Sequence, residues 1–231
     1  MTEPVVFVLA DEALDGVIAQ IGEDQWSMEM PAGFAMRQTD HTPTLREIVN
    51  YHAYDDAWVP DMLAGRTMDE AGRDKYDGDL LGADPKGSFA TIVARACAAA
   101  RDLDDLDRIV HCSFGDFPAR EYLWQISSFR GLRAHDIAVV IGVEPNLSDE
   151  LVQGLWDEIS PHAEEWRAIG VFPPAVPVPE DAPLLDRLLG LTGRNPNPLS
   201  STSSLSPGRE PLGVTARVTP AGAMPEERRR C

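Results

Sequence analysis

The strongest constraint on the fold is one long segment of helical pattern, "FPAREYLWQISSFRGLRAHDIAVVIG", which ends at Gly142. Pro118 suits the first position of a helix, and a glycine such as Gly142 commonly follows the last turn. A helix of this length crosses a whole small domain. The rest of the chain must therefore pack along it, and this favours a helical protein.

Other segments also predict helices. Thr44 and Glu47 have the spacing of a capping box, and Gly65 is suited to end the helix that they begin. Further helices are predicted over 5–21, from a Ser88 cap over 88–103, over 148–170 with a restart at Ser160-Pro161, and, as a short helix ended by glycine, within 183–196. No period-two pattern is sustained, although 25–38 fits either a short strand or a loop. We expect an all-α fold, a four-helix bundle with short accessory C-terminal helices and a Pro-rich arm over 171–183.

The last part of the chain has a different composition. Residues 197–231 are rich in Ser, Pro, Gly and Thr and have no sustained periodicity. Such a segment cannot bury enough apolar surface to offset the entropy lost on ordering. The sequence therefore predicts a folded domain over 1–196 and a disordered tail over 197–231.

The composition excludes several classes of function. A net charge of −18 argues against nucleic acid or an anionic membrane as partner. No charge-free apolar run is long enough for a membrane span, and the acidic N-terminus lacks the basic region of a signal peptide. The few scattered cysteines do not form a disulfide framework. We expect a cytoplasmic protein whose partner is a small molecule.

Charged residues interrupt the apolar pattern of the long helix. Arg130, Arg133 and His135 lie among residues spaced for a core, where charged groups need a partner. The arginines can reach the surface with their heads, or they can pair with Asp55 or Asp56 on a facing helix.

The helix that begins at Thr44 carries the second polar cluster. His52 and Asp56 are four residues apart, so both can reach one metal ion, and Tyr51 and Asp55 form the neighbouring stripe. A second interpretation is a core histidine with satisfied hydrogen bonds beside an exposed Asp55/Asp56 edge. That second interpretation is favoured on this pattern alone.

The order of these segments resembles a known family. The pieces "TLREIVNYHAYDDAWVPDMLAG", "AHDIAVVIG" and the Pro-rich arm followed by "DRLLGLTGR" look like the actinobacterial DinB-like proteins. These proteins are related to the N-terminal domain of mycothiol-dependent maleylpyruvate isomerase. The resemblance covers about residues 5–196 and implies a four-helix bundle. It also implies a divalent metal, usually zinc, that activates a thiol cofactor such as mycothiol.

The resemblance fails at the metal ligands. Placing Trp58 on the family's tryptophan puts Tyr51 at the first ligand position. Matching "HDIAVVIG" puts His135 on another tryptophan position, and Phe129 and Arg133 on the two remaining ligand positions. A guanidinium has no lone pair for a metal and repels one. We expect no metal, with Arg133 in its place and paired with Asp55 or Asp56. The alternative is a shifted zinc site formed by His52, Asp56 and His135.

These observations leave three alternative functions. In the favoured one, the bundle binds or transforms a small, anionic molecule in a central polar pocket without a metal. His52, Arg133 and His135 are then the candidate catalytic groups, and the candidate substrate contacts are Tyr51, Asp55, Asp56, Trp58, Phe129 and Arg130. The alternatives are a zinc- and mycothiol-dependent isomerase or transferase, and a non-enzymatic interaction protein, such as a homodimer, with a vestigial pocket.

Overall fold

The computed structural model describes residues 1–31, 41–113 and 115–196. Helices dominate these residues, as the sequence predicts, and place the chain in the all-α class. In chain order the elements are α1 (Glu3–Ile18), α2 (Leu45–Leu63), α3 (Met68–Ala71), α4 (Pro85–Arg101), β1 (Ile109–Cys112), β2 (Gly115–Pro118), α5 (Ala119–Ile141), α6 (Asp149–Ile159), α7 (Ala163–Ala168) and α8 (Leu184–Leu191).

Capping residues set most of the helix ends. The predicted capping box of α2 is present: the Thr44 amide donates to Glu47 Oε2 at 2.8 Å, and the Glu47 amide donates to Thr44 Oγ1 at 3.3 Å. Gly142 ends α5 with a φ of 76°, which glycine adopts without strain. The Ser88 start predicted for α4 is wrong. Asp84 caps that helix, because Pro85 is already suited to its first position.

The four longest helices pack in series. α5 lies against α1, α1 against α4, and α4 against α2. α6 packs on α1, α5 and α8 and closes a second apolar cluster that includes Val6, Leu132 and Leu155. The main cluster lies among the long helices and contains Phe7, Leu14, Trp58 and Phe89, among others. α1 and α5 therefore serve both clusters, and their shared face bears the polar side chains described below.

A hairpin joins α4 to α5 and was not expected from the sequence. β1 and β2 pair antiparallel, with Val110 opposite Phe117. Each strand has four residues, too few for a period-two pattern to emerge. Of the segment 25–38, Glu29 forms an isolated bridge with Thr44, and residues 32–38 lie outside the described ranges.

The C-terminal elements follow the predicted order. Ser160-Pro161 separates α6 from α7, and the Pro-rich arm lies on α8, where the Val176 amide donates to the Gly190 carbonyl at 2.9 Å. The predicted tail over 197–231 lies outside the described residues. Among the described helices, none is both long and apolar enough to span a membrane.

Candidate ligand site at a buried ion-pair centre

Three long helices bring charged side chains together inside the protein. Asp11 comes from α1, Asp56 from α2 and Arg130 from α5, and each is at most 2% exposed. His52, one turn before Asp56, and Arg133, one turn after Arg130, are also buried. We call Asp11, His52, Asp56, Arg130 and Arg133 the polar centre.

Arg130 is the hub of the polar centre. Its Nε and Nη2 both donate to Asp56 Oδ1, the first at 2.7 Å, and its Nη1 donates to the Ile126 carbonyl at 3.1 Å. Arg130 Nε also lies 2.7 Å from Asp11 Oδ1. The Phe7 ring lies 5.3 Å from the guanidinium carbon. One guanidinium thus faces two buried carboxyl groups.

In the described part of the chain, Asp11 and Asp56 share the guanidinium of Arg130 as their ion-pair partner. Burial, followed by the charge of Asp56, raises the pKa of Asp11 well above its ordinary range. Burial also raises the pKa of Asp56, although Arg130 opposes that shift. Asp11 Oδ2 and Asp56 Oδ2 have no hydrogen-bond partner among the described residues, and Asp11 Oδ1 has its ion-pair contact with Arg130. The raised pKa values favour a proton on one of these two carboxyls, because two like charges at this depth are unfavourable together.

His52 is buried in the neutral state. Burial, and then the charges of Arg133 and Arg130, lower its pKa well below the usual value. Neither ring nitrogen has a hydrogen-bond partner among the described residues. The sequence predicted that His52 is a core histidine with satisfied hydrogen bonds. Among the described residues, its ring has no such hydrogen bond, and that prediction is wrong there. A neutral imidazole offers one donor and one acceptor, and leaving both unused in the interior is unfavourable.

The arginine that pairs with Asp56 differs from the expected one. The sequence assigned this role to Arg133, but Arg130, one turn earlier, holds it. Asp56 is completely buried, so the predicted exposed Asp55/Asp56 edge is wrong at that residue. The helical pattern places Arg130 and Arg133 on overlapping faces, and only the packing angle of α5 decides which of them faces Asp56.

Arg133 lies one turn after Arg130 on α5, where the charges of a second ion pair, Arg194–Asp136, act on it. Burial lowers the pKa of the Arg133 guanidinium, the charge of Asp136 raises it, and the charge of Arg194 lowers it. Asp136 accepts from Arg194 through both oxygens, at 2.7 and 2.8 Å. His135 Nδ1 lies 3.6 Å from Asp136 Oδ1. The Arg133 charge therefore lowers the pKa of both His52 and Asp136.

The other sequence-predicted residues lie at varied distances from the centre. Tyr51 packs edge-on to His52 with ring centroids 6.4 Å apart. Asp55 is half-buried, and burial raises its pKa to about 7. Trp58 is a core residue against Tyr76. Phe129 is 40% exposed and stacks on Trp166 at the surface, which does not fit a role in a central pocket.

The alternative metal site is not assembled in the described part of the chain. Within residues 1–31, 41–113 and 115–196, no three His, Cys, Asp or Glu side chains group as a metal-binding set. His52, Asp56 and His135 therefore do not form the shifted zinc site there.

Sequence reasoning missed Asp11. It lies in "VVFVLADEALDGVIAQI", where it is a single acid inside the buried stripe of α1. A charged residue within an apolar stripe was the signal that could have revealed it.

Comparisons with known proteins give no relative for this arrangement. No protein-family model, no curated protein and no solved structure matches the chain.

Proposed function

We propose that this chain binds a small anionic molecule at the polar centre, with His52 and Arg133 as the groups in contact with the ligand. The ligand lies beside the Asp56–Arg130 pair, which holds α2 and α5 in place. The proposal includes the DinB-like four-helix bundle, a site without a metal and a cytoplasmic location. If the ligand is transformed, the reaction is an isomerisation or a thiol transfer.

The observation that carries the proposal is the state of His52. A buried neutral imidazole whose two nitrogens have no partner among the described residues is an unused donor and acceptor. An anion that accepts a hydrogen bond from the ring would satisfy the donor and would be attracted by the nearby Arg133 and Arg130 charges. The unsatisfied ring thus supports a ligand rather than a purely structural histidine.

The charges around His52 favour an anion over a cation. Both arginines that influence the ring are cationic, and they lower the pKa of the imidazole. An anion bound between Arg133 and the ring would reverse this effect and raise that pKa. The same change would allow His52 to accept a proton from the ligand, which is the behaviour of a general base.

The direct test is a ligand titration that reports on His52. Heteronuclear NMR of the histidine rings would follow the full chain with succinate, benzoate and inorganic phosphate as probes. We expect at least one probe to shift the His52 ring signals and to raise its pKa. If no probe moves these signals at millimolar concentration, the anion proposal is wrong.

Two variants assign the binding to named residues. His52→Gln and Arg133→Gln should each weaken binding by about tenfold or more, since a charge-assisted hydrogen bond contributes about 1.5–3 kcal/mol. His162→Gln is the matched control, because the His162 side chain is half exposed and lies against Trp124 at the surface. Equal losses in all three variants would contradict a site at the polar centre.

Metal analysis separates the proposal from its main alternative. The purified full chain should contain far less than one equivalent of zinc. Near-stoichiometric zinc that disappears in His52→Ala would overturn the metal-free site and support the thiol-dependent enzyme. If Arg133→Gln raises stability and no probe binds to the wild type, the vestigial pocket is the better account.

A further inference from the structure

Asp11 is a buried carboxyl group that shares its cation with a second acid. Its side chain is fully enclosed on α1, and its Oδ1 lies 2.7 Å from Arg130 Nε. The same nitrogen donates to Asp56 Oδ1, also at 2.7 Å. The two carboxyl oxygens are therefore at most twice that distance apart. We call Asp11, Arg130 and Asp56 the α1–α2–α5 junction.

The hydrogen atoms of Arg130 support a negative charge on Asp56 more than on Asp11. Arg130 Nε carries one hydrogen, which is donated to Asp56 Oδ1, and that oxygen also accepts from Nη2. Asp11 Oδ1 has the ion-pair contact with Nε without that hydrogen, and Asp11 Oδ2 has no hydrogen-bond partner among the described residues. Because hydrogen bonds to a carboxylate favour its charged form, Asp11 is the better place for a proton.

Ionisable groups surround Asp11 on the helices that pack near it. Asp15 and Asp56 oppose the ionisation of Asp11, whereas Arg130 favours it. The groups on these helices are Glu12 and Asp15 on α1, Asp55 and Asp56 on α2, Cys97 and Arg101 on α4, Arg130 on α5 and, farther along, Glu158 of α6, whose charge interacts with Glu3. Acids outnumber cations in this set, and Arg101 is already paired with Glu12 at the surface.

The protein interior makes a second negative charge at the junction unfavourable. Burial is the main cause that raises the pKa of Asp11, and the charge of Asp56 adds to it, while Arg130 acts in the opposite direction. Both acids are completely buried, so water does not screen their repulsion. A proton on Asp11 removes this repulsion and leaves Asp56 and Arg130 as one balanced ion pair.

The position of the junction gives this proton a consequence for the fold. α1 packs on α4, α5 and α6, and the junction joins it through Arg130 to α2. An ionised Asp11 would repel Asp56 across that link and would place an unfavourable charge inside the core. α1, which carries Asp11, is therefore the element whose packing depends most directly on the proton.

We propose that Asp11 holds a proton in the folded chain at neutral pH, and that loss of this proton at higher pH loosens α1 from α2 and α5. The α1–α2–α5 junction is then a pH-sensitive switch. Because the pKa of Asp11 is raised on folding, its contribution to stability is fully present below the ordinary value of 3.8 and is lost as the pH rises through the folded pKa. The switch does not rest on the anion site at His52 and Arg133.

The direct test reads the protonation state of Asp11 in the wild-type full chain. Carbon-13 NMR of the aspartate carboxyl carbons distinguishes a neutral carboxyl from a carboxylate, and the Asp11 signal is assigned through bonds to its own amide. We expect a neutral carboxyl at pH 6 and at pH 7, and a carboxylate signal that grows only above pH 7. A carboxylate already present at pH 6 would overturn the proposal.

Removing the competing acid should give Arg130 to Asp11. In Asp56→Asn the guanidinium keeps one carboxyl partner at the junction, so the pH at which Asp11 loses its proton should fall by about one unit or more. Asp15→Asn removes an acid one turn away without freeing Arg130, so its shift should be clearly smaller. If Asp11 in folded Asp56→Asn titrates at the wild-type pH or higher, the shared cation is refuted.

A neutral variant tests the effect on α1. Asp11→Asn cannot ionise, so the protection of α1 amides against hydrogen exchange, corrected for the intrinsic rate, should stay level between pH 6 and pH 9. The wild type should lose protection several-fold over this range. Glu12→Gln, at the exposed neighbouring position, is the control and should behave as the wild type does.

Equal pH dependence in the wild type and in folded Asp11→Asn would end the proposal of a switch. His52→Gln should leave the pH dependence of α1 protection unchanged, because His52 is not part of the junction. Failure of the anion site and failure of this switch are therefore distinguishable.

Discussion

Two arginine–aspartate pairs tie α5 to its surroundings, and they differ in how fully they are satisfied. The Arg194–Asp136 pair joins α5 to the segment after α8, and both Asp136 oxygens accept from the guanidinium. The Arg130–Asp56 pair joins α5 to α2, but the guanidinium bonds to only one Asp56 oxygen and also faces Asp11. The first pair is closed, whereas the second leaves Asp56 Oδ2 without a hydrogen-bond partner in the described ranges of the chain.

The pKa shifts of the acids show the same contrast. Burial pulls the pKa of Asp136 upward, but His135 and the Arg194 and Arg133 charges outweigh it and hold that pKa well below the usual range. In the Asp11–Asp56 pair, burial prevails and both pKa values are raised. In the Arg194–Asp136 pair both carboxylate oxygens accept hydrogen bonds from the guanidinium, so we assign this pair a structural role. In the Arg130–Asp56 pair, Asp56 Oδ2 has no partner among the described residues and can still accept a hydrogen bond from a ligand or hold a proton.

We expect the largest loss in the free energy of unfolding when Arg130 is replaced. Arg130→Met leaves two carboxyl groups in the interior without a cation, and breaking a buried pair in this way costs about 3–5 kcal/mol. Urea denaturation at pH 7 measures the free energy of unfolding. Asp11→Leu added together with Asp56→Leu should restore much of the loss, since no unpaired charge then remains. A loss below about 1 kcal/mol for Arg130→Met would contradict the role of Arg130 as hub.

Breaking the closed pair should cost less. Arg194→Met leaves Asp136 with part of its surface in water and with Arg133 nearby, so we expect a loss of about 1–3 kcal/mol by the same denaturation assay. The decisive result is which of the two variants, Arg130→Met or Arg194→Met, loses more free energy of unfolding. If Arg194→Met is the more damaging, the peripheral pair rather than the polar centre is the main electrostatic support of α5.

Replacing His52 is predicted to have opposite effects on stability and on ligand binding. His52→Leu removes two buried nitrogens that have no hydrogen-bond partner among the described residues, so the free energy of unfolding should stay level or rise by about 1 kcal/mol. The same variant should no longer bind succinate, benzoate or phosphate, as measured by isothermal titration calorimetry. A clear loss of stability would show instead that the ring already serves the fold.

Asp55 predicts a pH dependence of stability. Its folded pKa of about 7 exceeds the ordinary 3.8, so the folded state holds a proton that the unfolded state releases between these values. Its contribution to stability is therefore present below pH 3.8 and is lost as the pH rises through 7. His52 acts in the opposite sense, because its lowered pKa removes stability as the pH falls below 6.5.

Comparing one variant with the wild type isolates the Asp55 effect. The wild type should lose more stability between pH 5 and pH 8 than Asp55→Asn does, as measured by urea denaturation at both values. The His52 contribution is common to both proteins and cancels in this difference. Identical pH dependence would mean that Asp55 ionises normally in the folded state.

The smallest effect is expected at an exposed pair. Arg73 and Asp69 lie 2.8 Å apart, with both side chains open to water. Arg73→Ala should change the free energy of unfolding by less than about 0.5 kcal/mol. The change in the free energy of unfolding of this variant is the reference for the changes measured at the two ion pairs of α5.

Much of the helical pattern was predictable from local chemistry. The Thr44–Glu47 box, the end of α5 at Gly142 and the break at Ser160-Pro161 depend on residues close in sequence. The apolar face of α1 was less predictable. Val5 has the helical spacing that predicts one buried face with Leu9 and Val17, yet it is 47% exposed, whereas Val6 and Phe7 are buried. α1 is apolar almost all round, so periodicity could not select one face.

The sequence by itself determined that the chain is helical, that α2 and α5 carry the polar residues and that these residues need partners. Only the tertiary structure decided that Arg130 meets Asp56, that Asp11 joins them from α1 and that His52 has no hydrogen-bond partner among the described residues. The physical reason is the range of the interactions. Capping and periodicity act within a few residues, whereas an ion pair between helices depends on the rotation and packing angle of each helix, which the whole core sets together.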